Sequence, residues 1–406
     1  MCKGGVILLL TAQTKTGKKI CLGYDYKKET LLFFRSKEEF ICPVCGEEVF
    51  LKLGDQRVFH FAHKSGGRCR DFYESESVYH MDGKRQLYQW LRRQRIPAEL
   101  EYYDKEIQQR PDIMFAYNRK KYALEFQCSS IPEKVFMKRT KTYLQNGYQP
   151  IWVLGSKHIH QKKKSIVSLS NFHYLFLRKT SEDKFYIPSY CPEKRHFHLL
   201  GSILSYTVKN AFSESSLFPV DILPLEGLLN PMLLNQINLA SWSAEVENYI
   251  FQFTLHPGLQ QNSFLHELYT QNLNPFLLPP EIGLPVRHSL LFQTSPLIWQ
   301  TYLYLDLISN RHPEDTISFQ EIERSFNRRI GRKEIIIRNL PQFERMAPLI
   351  AGIEYLLLLE KLGILSRKGE TLFQLKKNVM IPHSNREKEE RKTFFYQKYR
   401  HILVNL

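Results

Sequence analysis

Short apolar runs separated by turn chemistry dominate the first 70 residues: Val6 to Leu10, the polar stretch Thr14-Lys15-Thr16-Gly17-Lys18, Ile20-Cys21-Leu22, and later Glu48 to Lys52 ahead of Gly54-Asp55. Runs of this length between turn residues predict strands, and hence a small β-rich module over residues 1–70. From Glu74 to Arg95 the turn residues nearly vanish, and Leu87, Tyr88 and Leu91 recur at helical spacing until Pro97 ends the pattern. Ile113 to Tyr117, a polar turn at Asn118-Arg119-Lys120-Lys121 and a return run from Tyr122 to Gln127 predict a hairpin. Pro132 then opens a second helix that Asn146-Gly147 closes, and Ile151 to Leu154 reads as a buried strand. Helix, hairpin, helix and strand make an α/β domain over residues 71–180. Leu-rich, Pro-punctuated stretches predict a mostly helical region over 181–406. Within 296–380, helices at Ser318 to Arg329 and Ala347 to Leu362 and a hairpin from Ile364 to Leu375 are compatible with a winged-helix-like unit.

The 406 residues carry 57 Lys and Arg against 41 Asp and Glu, a net charge of +16 that favours polyanionic partners, nucleic acid first. With 43% hydrophobic and 24% charged residues, disorder is excluded as the general state. Val6 to Leu10 is too short for a signal-peptide core and no run of 18 apolar residues exists, so a cytoplasmic location is expected. Seven Cys, an odd number, argue against a disulfide framework.

Two of those cysteines form Cys42-Pro43-Val44-Cys45, with His60-Phe61-Ala62-His63 and Cys69 following within 28 positions. Thiolate and imidazole ligands in such a cluster suit a closed tetrahedral Zn²⁺ site. Alternation along a strand points His60 and His63 apart, so the expected set is Cys42, Cys45, His63 and Cys69, with His60 as substitute.

Along Tyr122 to Gln127, Glu125 and Gln127 share one face with Ala123. Pairing Tyr117 with Tyr122 would set Asp112 opposite Gln127 and diagonal to Glu125. Two carboxylates on one sheet face ask for a cation, and hard oxygen ligands select Mg²⁺ or Mn²⁺. On the preceding helix Glu76, His80 and Lys84 recur every four residues and can face the same place. Arg110-Pro111-Asp112 followed by Glu125-Phe126-Gln127 resembles the PD-(D/E)xK nuclease motif, with Glu76 in the position of the superfamily's helical acid. More narrowly, the Cys and His cluster, the Glu76 to Lys84 stripe, Glu125-Phe126-Gln127 with Ser129, Arg139 with Tyr143, and Ile151-Trp152 resemble the competence protein CoiA family. The resemblance implies a zinc-ribbon-like N-terminal module, a restriction-endonuclease-like α/β core and the processing of incoming DNA in natural transformation. It also implies that Asp112, Glu125 and Glu76 bind the metal while Gln127, Lys84 and His80 position water or phosphate. Gln127 stands where the superfamily has Lys, a weaker stabiliser of developing negative charge.

From Lys134 to Lys164 there are eight cations, among them Lys134, Lys138, Arg139, Lys141, Lys162, Lys163 and Lys164, and no acid. This stretch follows the acidic strand and is expected to draw a DNA backbone across it. Two functions follow from these features. One is a Mg²⁺-dependent deoxyribonuclease of competence and recombination. The other is a catalytically silent nuclease fold that binds DNA and recruits a recombinase or other competence proteins.

Overall fold

The computed structural model describes residues 8–54, 58–64, 69, 77–234, 237–255, 259–343 and 346–404. Six short strands, β1 (Leu8–Leu9), β2 (Thr11–Thr14), β3 (Lys19–Cys21), β4 (Phe40–Ile41), β5 (Glu48–Lys52) and β6 (His60–His63), form an antiparallel sheet in the order β1-β6-β5-β4-β2-β3. The β-rich reading of this segment missed one helix, α1 (Lys28–Lys37), whose only buried residue is Leu31. An apolar periodicity is absent where a helix buries so little of itself.

Helix α2 (Val78–Arg93) starts at Ser77, whose hydroxyl accepts from the His80 amide at 3.2 Å. It packs on a ten-stranded sheet built from β7 (Ala98–Leu100), β8 (Ile113–Tyr117), β9 (Lys120–Gln127), β10 (Tyr148–Gly155), β11 (His160–Lys163), β12 (Ile166–Ser168), β13 (Arg178–Lys179), β14 (Phe185–Cys191), β15 (His196–Ser205) and β16 (Asn210–Pro219). The main path is β11-β12-β16-β15-β14-β10-β9-β8-β7, with β13 beside β14. β9, β10 and β14 are parallel. Helix α3 (Glu133–Gln145) bridges β9 to β10 and covers the opposite face, stacking Phe136 on Trp152 at 4.0 Å. The sheet therefore runs well past residue 180. Strands β14 to β16 escaped the sequence reading because Pro188, Gly201 and several Ser residues interrupt their apolar alternation.

Helical structure dominates only after short turns at α4 (Asn171–Tyr174) and α5 (Leu225–Leu229), with α6 (Leu239–Leu255), α7 (Leu259–Thr270) and α8 (Pro296–Leu307). β17 (Thr316–Ser318), α9 (Phe319–Gly331), α10 (Leu349–Lys361), β18 (Leu365–Arg367) and β19 (Leu372–Leu375) follow, the strands pairing as β17-β19-β18. This is the connectivity of a winged helix, yet α10, the helix that would enter a DNA groove, buries Ala351, Gly352, Tyr355, Leu356, Leu358 and Leu359. The basic C-terminal helix α11 (Asn385–Lys398) docks on α6 through Lys388 and Lys392, which pair with Glu247 at 2.8 and 2.9 Å, and α12 (Arg400–Leu403) ends the described chain.

Two cores hold these parts. One joins the N-terminal sheet, α2 and one face of the large sheet, including Leu10, Phe61, Leu87, Leu124 and Phe126; the other joins the second face to α3 and the helical region. The N-terminal segment thus borrows a core that it is too small to build alone.

Gly83 lets α2 lie directly on β9: a Cβ there would stand 2.0 Å from Cε1 of Phe126, a ring that is itself 1% exposed. Gly83→Val is expected to destabilise the fold by about 3 kcal/mol through overpacking. Urea unfolding followed by circular dichroism measures the change.

Candidate functional site

Asn118 and Arg119 both have positive φ, 48° and 61°, and make a two-residue hairpin turn in place of the four-residue turn expected. The register consequently pairs Phe115 with Tyr122 and Ile113 with Leu124. One step further, Asp112 lies level with Glu125 and not with Gln127. The shorter turn sets the two residues level where the sequence implied a diagonal.

Their environments differ because successive residues of β9 face opposite ways. Phe126 meets α2, whereas Glu125 meets α3, accepting hydrogen bonds from Tyr143 (2.5 Å) and Arg139. Asp112 precedes β8 and reaches around to α2. Its Oδ2 lies 3.3 Å from His80 Nε2 and accepts from the Phe126 amide at 2.8 Å, while Oδ1 lies 3.6 Å from Lys84 Nζ. The Asp112 backbone N–H in turn donates to the Glu125 carboxylate. Gln127 donates to the Ser129 carbonyl at 3.0 Å. Glu76 lies outside the described residues.

Lys84 is 1% exposed and pairs at 2.7 Å with Glu101, a residue that the sequence reading did not single out. Nothing in the local pattern marks it, since a lone Glu between Leu100 and Tyr102 looks like an exposed end of a strand. Arg139, expected to meet DNA, is the ion-pair partner of Glu125, with its side chain 17% exposed.

The charges respond accordingly. Burial alone would raise Asp112, yet His80, Lys84 and the Phe126 amide hold it well below the usual carboxylate range. Burial pushes Glu125 up to about 7; Arg139 opposes the shift and the charge on Asp112 reinforces it. Two carboxylates on level residues, one raised by the other's charge, are oxygen donors of the type that hard dications take. In the present arrangement Arg139 and Lys84 supply the compensating charge.

The other lysines divide. Lys134 and Lys138 are exposed on α3. Lys141 is half-buried there. Lys162 and Lys163 on β11 and Lys164 in the adjoining turn sit at the far edge of the large sheet. Six strand spacings separate β11 from β9, about 30 Å along the sheet, so the cationic stretch does not form one wall beside the carboxylates.

At the N-terminal sheet, the ligand atoms of Cys42, Cys45, His63 and Cys69 all lie within 4.8 Å of one another, with His63 Nε2 3.3 Å from Cys45 Sγ. Among the described residues this is the grouping of three or more such side chains that could hold a metal ion. His60 stands apart, its Nδ1 2.8 Å from the Val58 carbonyl oxygen.

Three family models match in sequence: "Competence protein CoiA, N-terminal domain" over residues 23–72, "Competence protein CoiA, nuclease-like domain" over 76–233, and "Competence protein CoiA, C-terminal domain" over 237–388. A competence protein CoiA of Bacillus subtilis (strain 168) is 31% identical over 359 residues, covering 87% of this chain and 94% of its own. The chain belongs to the competence protein CoiA family. The nuclease-like match runs past the last strand of the large sheet, which ends at Pro219, and takes in α2, Asp112 and Glu125. No solved structure matches significantly. No helix among the described residues is long and apolar enough to cross a membrane.

Two outcomes are expected of these sites. The purified chain should carry one zinc equivalent that Cys42→Ser or Cys45→Ser removes and His60→Gln retains, read by elemental analysis. For Glu125, a folded pKa of about 7 against an ordinary 4.5 means that the native state binds the extra proton. Its contribution to stability is complete below pH 4.5 and is lost as pH rises to 7. Glu125→Gln should flatten that part of the profile in metal-free protein, seen in urea midpoints at pH 5 and pH 8.

Proposed function

We propose that this protein acts on DNA during competence, as a divalent-metal-dependent phosphodiesterase whose site centres on Asp112 and Glu125. The single observation that carries the reading is that Asp112, just before β8, lies level with Glu125 of β9 in the nuclease-like domain. They would hold Mg²⁺ or Mn²⁺, with Glu76 as a third acid. Such an ion, when bound, lowers the pKa of its water and neutralises charge on the scissile phosphate. The chain's own groups do the rest. Lys84 takes the cationic role that Gln127 cannot fill, approaching Asp112 from α2. His80 stacks on Phe126 with ring centres 5.9 Å apart, which fixes its imidazole against Asp112 for holding or passing a proton. Exposed Lys134 and Lys138 on α3 offer phosphate contacts near the site, and the lysines on and beside β11 offer a second, distant one. The Cys and His cluster would hold zinc as a structural ion.

A second reading is favoured by a specific observation: each described acid at the site has a cationic or imidazole partner, Glu101 with Lys84, Asp112 with His80 and Lys84, and Glu125 with Arg139. A charge-balanced site of this kind suits a silent nuclease fold that binds DNA and recruits a recombinase.

Linear, branched and single-stranded DNA incubated with Mn²⁺ or Mg²⁺ decides between them. Cleavage that Asp112→Ala and Glu125→Ala reduce by more than the roughly 10–100-fold typical of losing an outer-shell partner, with DNA affinity retained, establishes the phosphodiesterase. DNA binding without cleavage of any of the three establishes the silent fold.

A further inference from the structure

Glu101 is not part of the carboxylate pair, yet it is among the most constrained side chains in the molecule. It is 2% exposed and adopts φ 51°, a left-handed backbone that is costly for a residue with a long side chain. Its backbone N–H donates to the carbonyl of Asp112 at 2.9 Å. The carboxylate is divided between two parts of the protein. Oε1 receives Lys84 Nζ at 2.7 Å, and Lys84 also approaches Asp112. Oε2 receives the backbone N–H groups of Leu10 (2.8 Å) and Thr11 (3.0 Å) and the Thr11 hydroxyl (3.2 Å), all from the N-terminal sheet. A buried carboxylate with four donors is fully satisfied only while that sheet is docked.

We propose that Glu101 is a positioning residue through which docking of the N-terminal module sets the place of Asp112. Held by Leu10 and Thr11, Glu101 retains Lys84 3.6 Å from Asp112, so that Asp112 keeps its bond to the Phe126 amide. Without that hold, Lys84 closes on Asp112 and draws the carboxylate from the amide. The inference rests on the reading of Asp112 as a site residue only for its consequence in catalysis; the linkage itself is a property of the chain.

The test uses the full ¹⁵N-labelled chain and two variants, Glu101→Gln and Thr11→Val, with hydrogen exchange at the Phe126 amide as the readout. Glu101→Gln should speed that exchange by about tenfold, the scale of a typical coupling between sites. Thr11→Val, a change in the other module that removes one donor, should speed it to a smaller extent, with the amides of Tyr122 and Leu124 unchanged in both. If Glu101→Gln does not fold, Thr11→Val alone carries the test. Mn²⁺ affinity should also fall in Glu101→Gln, because a negative charge is lost while Lys84 turns wholly to Asp112. Wild-type exchange at Phe126 in Thr11→Val, or loosening confined to Leu10 and Thr11, overturns the proposal. Mn²⁺ binding that Asp112→Asn leaves unaltered overturns the metal-site reading instead, and leaves the Phe126 result to stand or fall separately.

Discussion

An ammonium group buried to 1% exposure cannot stay charged without carboxylates around it, and Lys84 imposes that requirement on three separate segments. Glu101 must come to it from the end of β7, Asp112 from the start of β8, and the N-terminal sheet must supply the donors for the other oxygen of Glu101. The helix bearing Lys84 can lie this low because Gly83 permits contact with Phe126. The position of α2, the attachment of the N-terminal module and the geometry at Asp112 are therefore one problem with one solution. Moving any of them leaves a charge unpaired in a medium of low dielectric.

The same logic accounts for the asymmetry of the two site acids. Asp112 is surrounded by donors and stays ionised, whereas Glu125 faces α3, where burial and the nearby Asp112 charge push it up. Adjacent positions on neighbouring strands thus offer one fixed anion and one group whose charge depends on its company. On the proposed reading, a dication held by this pair would release the proton from Glu125.

Much of the architecture was legible in the sequence. Turn residues bounded the strands of the N-terminal sheet, and the helix, hairpin, helix and strand of the nuclease-like domain followed from apolar period together with Pro97, Pro132 and Asn146-Gly147. The register of the hairpin was not legible, because a two-residue turn with Asn118 and Arg119 both left-handed looks the same as a longer polar turn in one dimension. Two further features depended on distant partners. Arg139 reads as a surface cation until α3 is laid against β9, and Glu101 reads as an exposed acid until Leu10 and Thr11 arrive from 90 residues away. The Cys and His cluster was easier, since ligand chemistry is written in residue type and the alternation of β6 separates His60 from His63.

The two cations paired with the site acids are not equivalent. Lys84 is bound by two acids and sealed at 1% exposure, so its removal would strand Glu101 and Asp112 together. Arg139 pairs with Glu125 and also feels the charge of Asp112, keeps 17% of its side chain exposed, and lies over the Trp152 ring at 5.6 Å. A dication arriving at Glu125 would displace the cation with the shorter path to water and an aromatic face to rest on. The site's charge balance is accordingly sealed from solvent on the α2 side and partly open to it on the α3 side.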